Sequence, residues 1–307
     1  MTLDREVDEA ISRGLGYVLA AQEEDGAWTD WSLPPGPSRE WVTADVGRRL
    51  STLGSIRRDM LVEPLDRAAH WLAFRRAEGG GWGYNGAVQP DADSTAQALL
   101  FLSATNHACS EEAYGFLARH QRSDGGFATF LPHALAGSWG LSHPEVTPMA
   151  LLALATSSEG VAEDRLVLGL AWLRSVRRHD GLWNSFWWTS PLVATELALP
   201  LLGALADAEP VPPALDSWLP ADALDAALLL STMAATGSTQ RLGGLARQLV
   251  ADQLDDGSWT SAAGLRVPAR DCERPWEATS AGVCYADLRR LHTTATCLDA
   301  LAAAERA

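Results

Sequence analysis

Apolar residues recur along this chain with helical period, broken by short polar turns, and almost no segment shows the every-second-residue alternation of a half-buried strand. The pattern predicts helices near 5–21, 41–54, 63–76, 93–105, 110–121, 146–157, 164–177, 192–206, 221–235, 239–253 and 291–304, with a short twelfth piece near 212–218. Read in pairs, these make six hairpins. The two members of a pair differ. The first, as in Ala69-His70-Trp71-Leu72-Ala73-Phe74, mixes apolar and charged positions and suits an outer ring with one wet face. The second, as in Ser94–Leu102, is nearly uncharged all round and suits an inner ring covered on both sides. The inner helices read as polar only where they begin.

A short signature punctuates the hairpins. An acidic residue, then glycine, then an aromatic close the first helix of a pair: Asp25-Gly26-Ala27-Trp28, Glu78-Gly79-Gly80-Gly81-Trp82, Asp124-Gly125-Gly126-Phe127, Asp180-Gly181-Leu182-Trp183 and Asp256-Gly257-Ser258-Trp259. The acidic residues are spaced by 53, 46, 56 and 76, and the last gap has room for one degenerate copy. Periods of this size mark an array of supersecondary units. Glycine supplies the left-handed stop after the helix, and the aromatic packs back on the helix end. These turns read as staples between hairpins, Trp82 among them, and not as catalytic groups.

Composition agrees with one large packed array. Of 307 residues, 47% are hydrophobic, which affords a sizeable core, and thirteen Trp outnumber six Phe and four Tyr. A net charge of −15 disfavours nucleic acid and anionic membrane surfaces as partners. No stretch approaches the ~18 apolar residues that span a bilayer, so integral membrane insertion is not expected. Met1-Thr2-Leu3-Asp4-Arg5-Glu6 is charged and lacks an apolar secretory segment. Cys109, Cys272, Cys284 and Cys297 are few and irregularly placed, as expected of reduced thiols in a cytoplasmic protein.

The polar starts of the inner helices carry the candidate chemistry. They read Trp41-Val42-Thr43-Ala44-Asp45, Asp91-Ala92-Asp93-Ser94-Thr95, His143-Pro144-Glu145-Val146-Thr147, Thr189-Ser190-Pro191, Asp222-Ala223-Leu224-Asp225 and His292-Thr293-Thr294. In a closed ring they meet at one end, around an otherwise apolar bore, which is the expected form of a small-molecule site. Helix N-capping explains many of the Asp, Ser and Thr residues. It does not explain His143, Glu145, His292 or the neighbouring Trp residues.

At this point the chain resembles a known group. Its glycine-aromatic repeats are similar, through essentially the whole length, to those of the squalene cyclase, class II terpene cyclase and protein prenyltransferase β-subunit superfamily. The resemblance implies an all-α (α/α)6 toroid of six hairpins, here one domain over 1–307. The segment Gln89-Pro90-Asp91-Ala92-Asp93-Ser94-Thr95-Ala96 is similar to the Asp-x-Asp-Asp-Thr-Ala motif of class II cyclases, whose middle aspartate protonates an alkene or epoxide. Carried over, that acid is Asp93, with Asp91 upstream. Ser94 stands where hopene-type cyclases have a third Asp, which sterol-type cyclases also lack. The chain is about half the usual length of that family.

The resemblance implies a proton-initiated cyclase that converts a linear isoprenoid, a prenyl diphosphate or a prenylated small molecule, into a cyclic product. An alkene is a very weak base, so its donor must be a neutral carboxylic acid kept from water, and burial and a nearby carboxylate both raise an Asp pKa. Asp91, Ser94 and His143 are the expected tuning residues, His143 by a hydrogen bond to Asp93. The ensuing cation needs stabilisation without a nucleophile, which aromatic faces supply at ~0.5–2 kcal/mol each. Trp41, Trp139, Trp187, Trp188 and Trp276 are the candidate lining residues, with His292. Glu145 or a water is the candidate final base. Cyclisation is an isomerisation, so no cofactor is expected, and Mg²⁺ matters only for a diphosphate substrate.

Three other readings compete. Zinc-dependent prenyl transfer draws on the likeness of Leu291–Leu301 to the last inner helix of prenyltransferase β-subunits, with Cys272, Cys284 and His292 as an improvised ligand set, although Asp222-Ala223-Leu224-Asp225 lacks that family's Cys. A glycosidase would pair Asp93 with Glu145 or Asp225. A non-catalytic toroid would bind a hydrophobic ligand in the bore.

Overall fold

The computed structural model describes residues 3–131, 136–205, 211–278 and 280–307. All twelve helices expected from the periodicity are present. They are α1 (Leu3–Ala20), α2 (Glu40–Ser51), α3 (Arg58–Phe74), α4 (Ala92–Ala104), α5 (Glu111–Ala118), α6 (Val146–Leu154), α7 (Glu163–Ser175), α8 (Leu192–Leu205), α9 (Pro213–Ser217), α10 (Ala223–Ala235), α11 (Leu242–Asp252) and α12 (Leu291–Arg306). Residue 206, the expected end of the eighth, lies outside the described residues.

The even-numbered helices form the inner ring. Each packs on the next, and α12 packs on both α10 and α2, so the ring closes; odd-numbered helices pack outside it. Burial explains the sorting. α10 is buried at every position from Ala223 to Met233, whereas α1 buries one stripe, Val7, Ala10, Ile11, Gly14, Leu15 and Val18, at the i, i+3, i+4 spacing of an amphipathic helix. The buried apolar residues form one continuous cluster from Val7 to Ala302.

The signature turns are staples, and the structure shows how they work. Each glycine is left-handed (Gly26 at φ +97°, Gly125 at +98°, Gly257 at +90°) and lies flat on the next outer helix. A Cβ on Gly125 would stand 2.4 Å from the Leu168 carbonyl, so only glycine fits. The aromatic then turns inward. The indole N–H groups of Trp28, Trp82, Trp183 and Trp259 donate to carbonyls ten residues back, at Val18, Leu72, Leu173 and Leu249, over 2.7–2.9 Å. This gives a donor to carbonyls in the last turns of the outer helices, where intrahelical partners run out. The backbone N–H of each signature aromatic reaches a threonine hydroxyl of its inner helix, as Trp28 does to Thr43 at 2.9 Å and Phe127 to Thr147 at 2.9 Å. Gln22, Gln121 and Gln253 add a second tie. Each side-chain amide donates to its own turn glycine and to a carbonyl of the next outer helix, at Pro64, Arg165 and Ala10, so Gln253 joins the last hairpin to the first.

Two features depart from the sequence expectation. The helices are joined by two small antiparallel hairpins, β1 (Asp30–Leu33) with β2 (Gly36–Ser38), and β3 (Leu265–Pro268) with β4 (Gly282–Tyr285). They precede α2 and α12 and wall the end of the ring where the inner helices start. The inner helices are also not polar at their starts alone. Deeper in the bore, Arg49 pairs with Asp45 (3.2 Å), Asp299 (3.5 Å) and Glu196 (3.7 Å), and Arg48 donates to Gln97 at 2.7 Å. Four inner helices thus contribute to an ion cluster that plugs the bore below its mouth. Among the described residues no helix is long and apolar enough to cross a membrane.

Candidate active site

The open end of the ring holds a cavity of about 280 Å³. Its floor is Asp91, Asp93 and Ser94, from the start of α4. Its walls include Trp41 from α2, Trp187 and Trp188 from the loop before α8, and Trp139 with Phe130 from the loop before α6. Leu33 of β1 and Leu265 and Val267 of β3 complete it, so the unexpected hairpins supply part of the apolar wall. Four of the five expected tryptophans face this cavity.

The acids at the floor differ in what holds them. Asp91 is the N-cap of α4: its Oδ1 accepts the Ser94 N–H at 2.8 Å and its Oδ2 the Ser94 hydroxyl at 2.8 Å. Asp93 is held at Oδ2 by the Trp41 indole N–H at 2.6 Å. Burial, then the neighbouring Asp93, lift Asp91 to about 8, against the pull of the two Ser94 donors. Burial lifts Asp93 to about 6, against the Trp41 N–H; Asp45 adds to the lift, and Arg48 and His292 oppose it. Interacting acids release protons as a pair, so the two carboxyls together keep one proton near neutral pH. Asp91 is tied by two Ser94 donors and Asp93 by the Trp41 N–H alone, so of the two carboxyls Asp93 is the less constrained. With its Oδ2 engaged as an acceptor, Asp93 has Oδ1 left to carry a proton.

Behind the floor lies a pair that sequence reading did not assemble. Asp45 Oδ2 and His292 Nδ1 are 2.7 Å apart, both buried. Burial pushes Asp45 up, but His292 and Arg49 outweigh it and hold the carboxyl well below the usual range. His292 does not line the cavity. It stacks beneath Trp188 (ring centroids 4.9 Å) and touches Trp31 (5.1 Å) and Trp41 (5.7 Å). Trp31 was also missed. It sits at φ +49°, a left-handed conformation unusual for a bulky side chain. Asp30 fixes it there by accepting N–H groups of Trp31, Arg289 and Leu291 at 2.7–2.9 Å.

Three further expected residues are placed elsewhere. His143 does not reach Asp93: its Nδ1 meets Thr129 Oγ1 at 2.7 Å, its Nε2 meets the Ser138 carbonyl at 3.0 Å, and its ring stacks on Phe186 at 4.0 Å. Burial lowers its pKa to about 3, so it is a neutral structural bridge. Glu145 lies behind the cavity wall, where its Oε1 accepts the Phe186 and Trp187 N–H groups at 2.8 and 2.6 Å and burial lifts it to about 7. Trp276 lines a separate surface pocket with Arg178 and Asn184. The alternative chemistries lose their geometry as well. Asp225 is occupied by Ser190 (2.5 Å) and Trp218 (2.7 Å), away from Asp93. Among the described residues, Cys272, Cys284 and His292 do not converge as metal ligands.

No protein-family model matches the chain. A squalene-hopene cyclase from Schizosaccharomyces japonicus is 29% identical over 188 residues, which cover 49% of this chain and 28% of that protein. Among solved structures, the type II terpene cyclase MstE from Scytonema superposes with a TM-score of 0.86 at 24% identity over 100% of both chains. A variant of that enzyme in complex with its substrate, geranylgeranyl dihydroxybenzoate, gives 0.85 at 23% identity over 99% of both. The toroid of this chain is therefore the fold of those cyclases, in agreement with the resemblance read from the repeats.

Proposed function

We propose that this protein is a class II cyclase that protonates a linear isoprenoid with Asp93 and closes it into rings. The observation that carries this reading is the Asp93 carboxyl itself, at the floor of an aromatic cavity, with a raised pKa and one engaged oxygen. Asp93 Oδ1 gives its proton to the terminal alkene, and the two electrons of that bond form the new C–H bond. The Trp41 N–H and the N-terminus of α4 stabilise the carboxylate left behind. Trp41, Trp139, Trp187 and Trp188 face the migrating positive charge and offer no lone pair to trap it. A base or water at the mouth takes the final proton. The proposed reaction is redox-neutral and calls for no cofactor.

The walls and the solved relatives support a choice of substrate class. Among the described lining residues none is Lys or Arg, which favours a hydrocarbon chain inside and any polar head outside. The cavity volume sits at the low end for ligand sites, which favours a polyene shorter than a triterpene. A prenylated aromatic acid, the substrate class of the Scytonema enzyme, meets both conditions.

Incubation in D₂O with a panel of polyprenyl and prenyl-aromatic substrates tests the reading. The expected product is isomeric with the substrate and heavier by one deuteron on carbon. Cyclised product without carbon-bound deuterium rules out protonation as the first step. Turnover is expected to be full at low pH and to fall as pH rises through about 6, since the donor Asp93 must keep its proton. A rate that instead rises through that range contradicts the general-acid role.

A further inference from the structure

On the outside of the ring, three metal-ligating side chains converge that the cavity chemistry does not use. Asp66 and His70 are one helical turn apart on α3, so they share a face. His107 arrives from the link between α4 and α5. His107 Nε2 lies 3.3 Å from His70 Nδ1 and 3.4 Å from Asp66 Oδ1, and His70 Nδ1 lies 3.4 Å from Asp66 Oδ2. The two histidines approach different oxygens of the Asp66 carboxylate, and one ligand atom from each residue lies within 4.8 Å of the other two. A tetrahedral ion that binds nitrogen and oxygen at about 2.0–2.2 Å requires ligand separations of about 3.3–3.5 Å, and the His70–His107 edge already has that length.

The surroundings support ligation. His107 Nδ1 is 3.1 Å from the Thr105 hydroxyl and 3.2 Å from the Thr105 carbonyl, so its ring N–H is directed there. That fixes the tautomer with a lone pair on Nε2, facing Asp66 and His70, as metal-binding histidines are commonly oriented. The two imidazoles meet edge to face, with centroids 4.8 Å apart. His70 Nδ1 also lies 2.9 Å from the Asp66 carbonyl, and an ion would replace that local hydrogen bond. Two imidazoles and one carboxylate select Zn²⁺-like borderline ions over Mg²⁺ or Ca²⁺.

We infer that Asp66, His70 and His107 bind one divalent transition-metal ion, with solvent completing the shell. The ion clips the outer helix of the second hairpin to the link that begins the third. Its place on the outer surface makes it a clamp on the ring, separate from the cyclisation chemistry.

Titration calorimetry of Zn²⁺ into the reduced, chelator-treated full chain tests this, beside His70→Ala, His107→Ala and a Cys272→Ser/Cys284→Ser control. One equivalent is expected to bind the parent and the thiol control, and none either histidine variant. At a hundredfold excess of Zn²⁺ over Kd, Tm is expected to rise by about 5 °C in the parent and not in the histidine variants. His70 is largely exposed, so its removal leaves the fold in place, and circular dichroism confirms that for each variant. Absence of stoichiometric binding in the parent overturns the proposal. So does binding that survives in both histidine variants or disappears in the thiol control.

Discussion

Asp93→Asn is expected to lower cyclisation by about 10³-fold or more, because Asp91, the other acid at the cavity floor, has both oxygens tied to Ser94. The amide keeps the shape of the carboxyl and can still accept the Trp41 N–H, so substrate binding should survive. Stability should move in the opposite direction from activity. The folded-state pKa of Asp93 is raised, so the native state holds its proton more tightly than the unfolded chain. The stability linked to that proton is fully present below the unfolded value of 3.8 and is lost as pH climbs through about 6. An asparagine has no such loss. Discounted for contact with the open cavity, the gain at pH 8 is about 1–2 kcal/mol, and it vanishes at pH 4. Parallel melting curves at both pH values, read beside the D₂O assay, check this. Deuterium incorporation at the parent rate would remove Asp93 from the acid role. A variant that melts lower at both pH values would make the residue a structural one.

Arg266→Met should have the largest effect on stability. The Arg266 guanidinium is buried and donates to four carbonyls: Ser185 (2.7 Å), Phe186 (3.1 Å), Trp188 (2.8 Å) and Pro275 (3.1 Å). Methionine fills much of the volume and satisfies none of them. Each abandoned buried carbonyl costs about 1–3 kcal/mol before relaxation, so a total of about 3–5 kcal/mol and a drop in Tm of about 10 °C are expected. The damage should also reach function, because the same loop presents Trp187 and Trp188 to the cavity. Differential scanning calorimetry and product analysis test both halves. A Tm change under about 2 °C would show that water replaces the guanidinium at little cost.

The parts of this molecule that were legible in its sequence are the ones that local physics dictates. Helical period and the two kinds of amphipathicity located the twelve helices, and the glycine-aromatic turns located the hairpins. The start of α4 was legible because Asp91, Asp93 and Ser94 are contiguous. What failed was reasoning across elements. His143 and Asp93 both lie at inner-helix starts, but the radial direction of each side chain is set by the phase of its helix, which sequence position alone does not give. Glu145 was misplaced for the same reason, and Trp276 because it lies in the link between β3 and β4, a hairpin that the helical pattern does not announce. Asp45 and His292 stand 247 positions apart and meet only because the ring closes. Arg266 looked like one polar residue in a four-residue strand too short to announce itself. Gln22, Gln121 and Gln253 did carry a signal, each three residues before the acid of its turn, and reading the turns without them missed the ties between neighbouring outer helices.

The closed ring changes how the array should come apart. In an open stack of repeats the end units have one neighbour and loosen first. Here α12 packs against α2, and Gln253 bonds the last outer turn to Ala10 of the first helix, so every hairpin has a neighbour on each side. There is no free end from which fraying can start. Opening at any one seam exposes two apolar faces at once, and the bore's ion cluster loses contributors from several helices together. Such a ring favours a single concerted melting transition over stepwise loss of repeats, and a hairpin could be neither added nor deleted without reopening the circle.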